Sequence, residues 1–197
     1  MSSTERTPRA SEQRRISTVE LGKNGPVVGI QGLGCMGMSW AYGPTDADEA
    51  RATLERALEL GVTLVPYSPL GRGFLTGSFV SADKELADDD FRRQQPRFTG
   101  DNAAANAALL EPVRQVADAH GASLGQVALA WVQQQAGAFG LGVVPIPGTR
   151  KRTRVEENTA ATRIVLTDEE LALLEPIAAK VSGDRYADMA FTSAGRE

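Results

Sequence analysis

The chain has a single cysteine, Cys35, and a single histidine, His120, among 197 residues. One cysteine excludes an internal disulfide and fits a reducing compartment. One histidine argues against a zinc site built by the protein. Apolar runs long enough for a membrane span are absent, and the N-terminus has no signal-like apolar region. Strong charge of either sign is missing too: 21 Lys and Arg against 25 Asp and Glu give a net −4. That balance argues against non-specific nucleic-acid binding. What is present is an ordinary 42% hydrophobic fraction, enough to bury a sizeable core. The length suggests one domain with a possible tail. The expectation is a soluble cytoplasmic protein with no nucleic-acid or membrane partner.

The most informative stretch is 141–158, LGVVPIPGTRKRTRVEEN. Leu141 to Ile146 is a short apolar run bounded by glycines and prolines, suited to a strand buried on both faces. Pro147-Gly148-Thr149 breaks it, and Arg150, Lys151, Arg152 and Arg154 follow at once. A short helix is expected from about Thr153. Cations there oppose the helix dipole at roughly 0.3–1 kcal/mol each. A bound anion at the strand-to-helix turn reverses that penalty, and phosphate is the natural candidate. A solvated basic loop is the competing reading.

The pattern Gly148-Thr149-x4-Arg154-Val155-x-Glu157-Asn158 resembles the adenosine-phosphate site of the aldo-keto reductases. The resemblance implies that Gly148, Thr149 and Arg154 hold the 2′-phosphate of NADP(H), with Arg150 as an extra contact. It assigns the adenine to Glu157 and Asn158. A guanidinium fork fits a phosphate better than a lysine does. A second block, Val65 to Gly77 (VPYSPLGRGFLTG), resembles the cofactor loop after the seventh barrel strand of the same family. It implies that Tyr67 stacks on the nicotinamide, while Ser68, Leu70, Gly71 and Arg72 line the pyrophosphate. An aromatic face suits a flat ring, and a Gly-Arg pair offers backbone approach with a charge-assisted hydrogen bond. A third block, GLGCMGMS from Gly32, resembles the end of the first barrel strand, near the nicotinamide half. A Rossmann reading of these glycines is rejected, because no third glycine is in register and no acidic residue is well placed.

The junction at Leu64 is unusual. In the family, a segment like LELGVTL leads to an Asp and a Tyr that join a later Lys and His in a catalytic tetrad. Here it runs directly into the seventh-strand loop, so the middle of the barrel is missing. An in-frame deletion between similar ELGV-type segments is the hypothesis; an artefact of the sequence is compatible as well. By the resemblance, no residue matches the tetrad. Tyr42, Tyr67, Lys84 and His120 are not assigned catalytic roles.

The remaining chain supplies scaffolding. Residues 1–15 are expected to be a disordered tail, and Ile16 to Gly25 to start a hairpin. A helix should start near Asp46, bury Ala50, Leu54, Ala57 and Leu58, and end at Gly61. Residues 78–102 are read as a charged surface loop, and its DDDFRRQQPRF run resembles the potassium-channel-β-like and plant-type members of the family. A helix over 103–120 should kink at Pro112. Capping boxes at Ser123-x-x-Gln126 and Thr167-x-x-Glu170 should start two more helices. Trp131 is expected in the core. Leu171, Leu174, Ile177, Ala178 and Val181 are expected to face inward, with a frayed tail over 182–197.

The resulting fold is an α/β incomplete TIM (β/α)8 barrel of the aldo-keto reductase type. It has about three barrel strands (27–33, 62–67 and 141–146), four or five helices and an N-terminal hairpin, all within 16–181. A full barrel needs ~250 residues, so two sheet edges are left open and self-association is expected. The function implied is NADPH-dependent reduction of a small carbonyl compound, impaired by loss of the tetrad. The alternative is a non-catalytic interaction or regulatory protein.

Overall fold

A computed structural model describes residues 15–23, 25, 27–38, 46–139 and 142–190. Nearly all of the expected N-terminal tail, residues 1–14, lies outside the described residues, as do Tyr42 and Leu141. The hairpin forms as expected: β1 (Thr18–Glu20) pairs antiparallel with β2 (Val27–Gly29). The strand expected over 27–33 is two strands. After β2 the chain bends at Ile30 and Gln31, and β3 (Gly32–Leu33) pairs parallel with β4 (Thr63–Leu64). Changing from an antiparallel to a parallel partner requires that bend. Glycine is required in β3, since a Cβ on Gly32 would stand 2.5 Å from Val65 Cγ2.

Helix α1 (Ala47–Leu60) joins β3 to β4. The Asp46 carboxylate accepts the amides of Asp48 and Glu49 at 2.8 and 2.9 Å, and Gly61 closes the helix at φ 76°. The expected apolar face is there but only half-buried, and no residue of α1 is buried. β4 is the middle of three parallel segments. On one edge, Thr63 N donates to Gln31 O (3.2 Å) and Val65 N to Leu33 O (3.2 Å). On the other, Leu64 N donates to Gly142 O (2.8 Å) and Val144 N to Leu64 O (2.9 Å), with a parallel bridge from Leu64 to Val143. Among the described residues, nothing pairs with the outer edge of β3 or of 142–146. A barrel closes only when every edge is paired, so this one is incomplete.

The core sits in the helical body that follows. Its elements are α2 (Ala82–Glu85), α3 (Gly100–Ala108), α4 (Glu111–His120), α5 (Leu124–Phe139), α6 (Arg152–Ala160) and α7 (Asp168–Leu174). Phe74, Phe79 and Phe98 meet with ring centroids 5.6 to 5.7 Å apart, and Val113, Val116, Val127, Ala130, Leu166 and Leu174 fill the same core. Trp131 packs against it as expected, although its buried indole N–H has no partner among the described residues.

Both capping boxes form. Gln126 N donates to Ser123 Oγ (3.3 Å) and Ser123 N to Gln126 Oε1 (2.9 Å); Glu170 N donates to Thr167 Oγ1 (3.2 Å) and Thr167 N to Glu170 Oε2 (2.8 Å). Three expectations are corrected. The 103–120 helix is not kinked but divided at Leu109 and Leu110, and Pro112 sits in the first turn of α4. A proline is tolerated there because that N–H would have no helical partner anyway. The last helix stops at Leu174, and Pro176 opens a 3-10 turn over Glu175–Lys180 that leaves Ala178 and Val181 exposed. The segment 182–190 does not fray. Ser182 N donates to Asn106 Oδ1 (2.8 Å), and Asn106 Nδ2 donates back to Ser182 O (2.8 Å).

Candidate functional site

The loop leaving β4 is built from left-handed backbone. Ser68 (φ 50°) and Arg72 (φ 58°) are non-glycine residues in that region, flanked by Gly71 (φ 55°) and Gly73 (φ 90°). Left-handed backbone costs a non-glycine residue about 1–2 kcal/mol, and such positions gather at binding and active sites. Here Gly71 N donates to Ser68 O and Gly73 N to Leu70 O, both at 2.9 Å, closing a tight double turn. Arg92 Nη1 donates to Arg72 O (3.0 Å) and fixes the turn from outside. The same guanidinium chelates Asp90 through Nε and Nη2 at 2.9 and 2.7 Å, holding that carboxyl at about 2.

The second half of the site follows Ile146. Thr149 Oγ1 accepts the amide of Lys151 (3.1 Å), and α6 begins one residue later. Its N-cap, Lys151, makes no side-chain cap, and its first turn carries no acid. The helix start thus combines uncapped amides with Arg152 and Arg154, the arrangement that favours an anion. Glu157 is the counterweight. Its carboxylate accepts from Ser123 Oγ (2.6 Å) and from Arg154 Nη1 (2.7 Å), and its carbonyl accepts from Gln126 Nε2 (2.9 Å). The Ser123 hydroxyl first, and Arg154 second, hold its carboxyl below the usual range.

These two halves meet in one cavity of about 540 Å³. Ten of the eleven residues expected from sequence line it: Tyr67, Ser68, Leu70, Arg72, Gly148, Thr149, Arg150, Arg154, Glu157 and Asn158. Gly71 does not; it shapes the turn from behind. Four cations (Arg72, Arg150, Lys151, Arg154) face one carboxylate (Glu157), so the cavity suits a ligand with several negative charges. Tyr67 is 38% exposed, with Arg185 Nη1 donating to its hydroxyl (3.5 Å). Burial pushes its phenol up, against the lowering effect of Arg185.

Lys151 and Gly125 also line the cavity and were missed. Lys151 belongs to the same basic run, and that run is the signal for it. Gly125 is in the first turn of α5, and a Cβ there would stand 3.3 Å from Thr76 Cγ2; only its place next to the capping Ser123 hints at it. The Gly32–Gly37 segment is not among the residues that line this cavity. Lys84 and His120 lie outside the cavity, and His120 Nε2 is 2.9 Å from Glu170 Oε1, joining α4 to α7. Burial pushes the Cys35 thiol up, which disfavours a reactive thiolate. Among the described residues there is no group of His, Cys, Asp and Glu that could hold a metal, and no helix is long and apolar enough to cross a membrane.

Residues 59–179 match the Aldo/keto reductase family. The chain is 43% identical over 144 residues to the aldo-keto reductase str7 of Strobilurus tenacellus, covering 72% of this chain and 41% of that protein. It is 38% identical over 130 residues to the aldo-keto reductase yakc [NADP(+)] of Schizosaccharomyces pombe, covering 65% and 37%. Among solved structures, the glycerol dehydrogenase AKR11B4 of Gluconobacter oxydans superposes with a TM-score of 0.52 at 28% identity, covering 66% of this chain and 38% of that one. The chain thus spans about two fifths of the length of these curated relatives. With a family match over more than half of its length, and a fold and cavity consistent with it, the chain belongs to the aldo/keto reductase family.

Proposed function

We propose that the chain binds NADP(H) in the cavity between the 67–73 loop and the start of α6. The observation that carries this is the convergence of two motifs, about eighty residues apart in sequence, on one cation-lined cavity. In this reading Arg154, Thr149, Gly148 and Arg150 hold the 2′-phosphate, and Glu157 and Asn158 receive the adenine. Arg72, Ser68, Leu70 and Gly71 serve the pyrophosphate, Gly71 by setting the turn. Tyr67 offers its ring to the nicotinamide. The bound cofactor supplies a hydride; this chain's residues orient it and neutralise its phosphates.

The family reaction, reduction of a small carbonyl compound, also needs a proton donor. We read the junction at Leu64–Val65 as the place where the segment bearing the catalytic Asp, Tyr, Lys and His has been lost. The chain is then an impaired oxidoreductase that keeps its cofactor site, in a cytoplasmic setting. The expected result is saturable NADPH binding by fluorescence titration, with aldehyde turnover at background. Rapid turnover would contradict the impaired reading, and no binding by the folded chain would contradict the cofactor reading.

A second reading is favoured by the outer edges of β3 and 142–146, which have no strand partner among the described residues, beside exposed Ile30 and Ile146. Such edges template association with another strand. In this reading the chain self-associates, as an interaction or regulatory protein, and its oligomer is indifferent to NADPH. Light scattering with and without NADPH tests it; a monomer at all concentrations sinks it.

A further inference from the structure

The C-terminal segment 182–186 returns across the body and ends against the 67–73 loop. Its path is built in. Asn106, 3% exposed, brackets Ser182 through two hydrogen bonds, and Arg97 Nε donates to Gly183 O (3.0 Å). Gly183 has φ 84°, and a Cβ there would stand 2.6 Å from Asn102 Nδ2 and 3.1 Å from the Pro96 backbone. No larger residue fits that passage without displacing its neighbours.

The segment delivers Arg185 and Tyr186 to Arg72. The Tyr186 ring lies 4.7 Å from the Arg72 guanidinium carbon, and the Phe91 ring lies 5.5 Å from it. Arg72 Nη1 donates to Gln95 Oε1 (3.1 Å) and to the Arg185 carbonyl (3.3 Å). Gln95 is itself 2% exposed, a rigid acceptor. A guanidinium has five N–H donors. The clamp engages those on Nη1, while Nε and Nη2 have no partner among the described residues. One end of the fork is therefore fixed and the other is left for a ligand, on a residue that lines the cavity.

The geometry points to Tyr186 as a positioning residue of the cofactor site, holding Arg72 ready for the anionic middle of the ligand. The inference rests on the cofactor reading above and extends the site to a part of the chain that looks like a tail. A long, flexible side chain fixed before binding loses less freedom on binding, and affinity rises accordingly. Cation–π attraction of this kind is worth about a tenfold change in affinity. Its effect should be confined to the pyrophosphate end, away from Arg154.

The test measures binding of NADPH and of adenosine 2′-monophosphate to the wild type, Tyr186→Ala and Tyr186→Phe, with thermal unfolding alongside. Adenosine 2′-monophosphate carries the adenine and the 2′-phosphate but no part of the pyrophosphate, so it reaches only the Arg154 end. The expected result is about tenfold weaker NADPH binding in Tyr186→Ala, partial recovery in Tyr186→Phe, which keeps the ring over Arg72 but loses the hydroxyl bonded to Tyr67, and unchanged adenosine 2′-monophosphate binding in both. Equal loss of both ligands would make Tyr186 a merely structural residue and overturn the proposal. Tighter NADPH binding in Tyr186→Ala would overturn it too, by showing that the segment obstructs the site. Failure of the wild type to bind either ligand would instead remove the cofactor reading on which it stands.

Discussion

The two parts of the chain on either side of Leu64 are held together in different ways. Every buried apolar residue among those described lies between Pro69 and Leu174. Among the described residues before Leu64 only Thr63 is buried, and the apolar face of α1 is only half-buried. The later part makes its own core from three phenylalanines and the facing sides of α4, α5 and α7. The earlier part hangs on a two-residue ladder between β3 and β4, a few backbone hydrogen bonds and α1. The cavity belongs entirely to the later part, with residues from Tyr67 to Asn158. The candidate site can thus stay assembled while the barrel around it stays open, because its walls rest on the helical core and not on barrel closure.

Core truncations should widen the contrast most. Phe98→Ala opens the aromatic cluster that backs the 67–73 loop and should cost about 3–5 kcal/mol. Leu54→Ala on the half-buried face of α1 should cost about 1 kcal/mol. Urea unfolding of both variants checks this; equal losses would mean that the two parts form one cooperative unit. Hydrogen exchange should agree, with α1 amides exchanging well before those of α4 and α5.

A smaller effect is expected from Gly32→Ala. The new methyl meets Val65 Cγ2 at 2.5 Å and should destabilise the β3–β4 pairing by about 1–3 kcal/mol. Since the cavity does not touch β3, NADPH binding should be unchanged. A parallel loss of affinity would show that the site depends on the earlier part after all.

The smallest effect concerns acid. Asp90 is held at about 2 by its bonds to Arg92, against ~3.9 for an unperturbed aspartate. A depressed folded value means that its stabilising contribution is complete above about pH 4 and is lost as the pH falls toward about 2. Asp90 orients Arg92, which in turn holds the Arg72 carbonyl. The 67–73 loop should therefore loosen in that window, seen as broadened Tyr67 and Arg72 resonances. Asp90→Asn should show the loosened spectrum already at neutral pH.

The sequence carried much of the site and less of its setting. The basic run after Pro147, the Tyr67-to-Gly77 loop and both capping boxes are local patterns, and each keeps its place in the structure. The division of 103–120 was half visible, since Pro112 marks a boundary but not whether the helix bends or restarts. The break between β2 and β3 depends on which partner each strand takes, and so does not show in a continuous apolar run from Val27 to Leu33. The docking of 182–186 was hidden for the same reason. Its sequence is polar and glycine-containing, and its partners Asn106, Arg97 and Arg72 lie 76 to 113 residues away.

The most direct test of the central claim, that the cofactor site outlives the barrel, is a titration of the wild type and Arg154→Ala with NADPH and with NADH. The account predicts that the wild type prefers NADPH, and that Arg154→Ala weakens NADPH about tenfold or more while leaving NADH unchanged, because a charge-assisted contact to the 2′-phosphate has been removed. Equal affinity of the folded wild type and the variant for NADPH would contradict it.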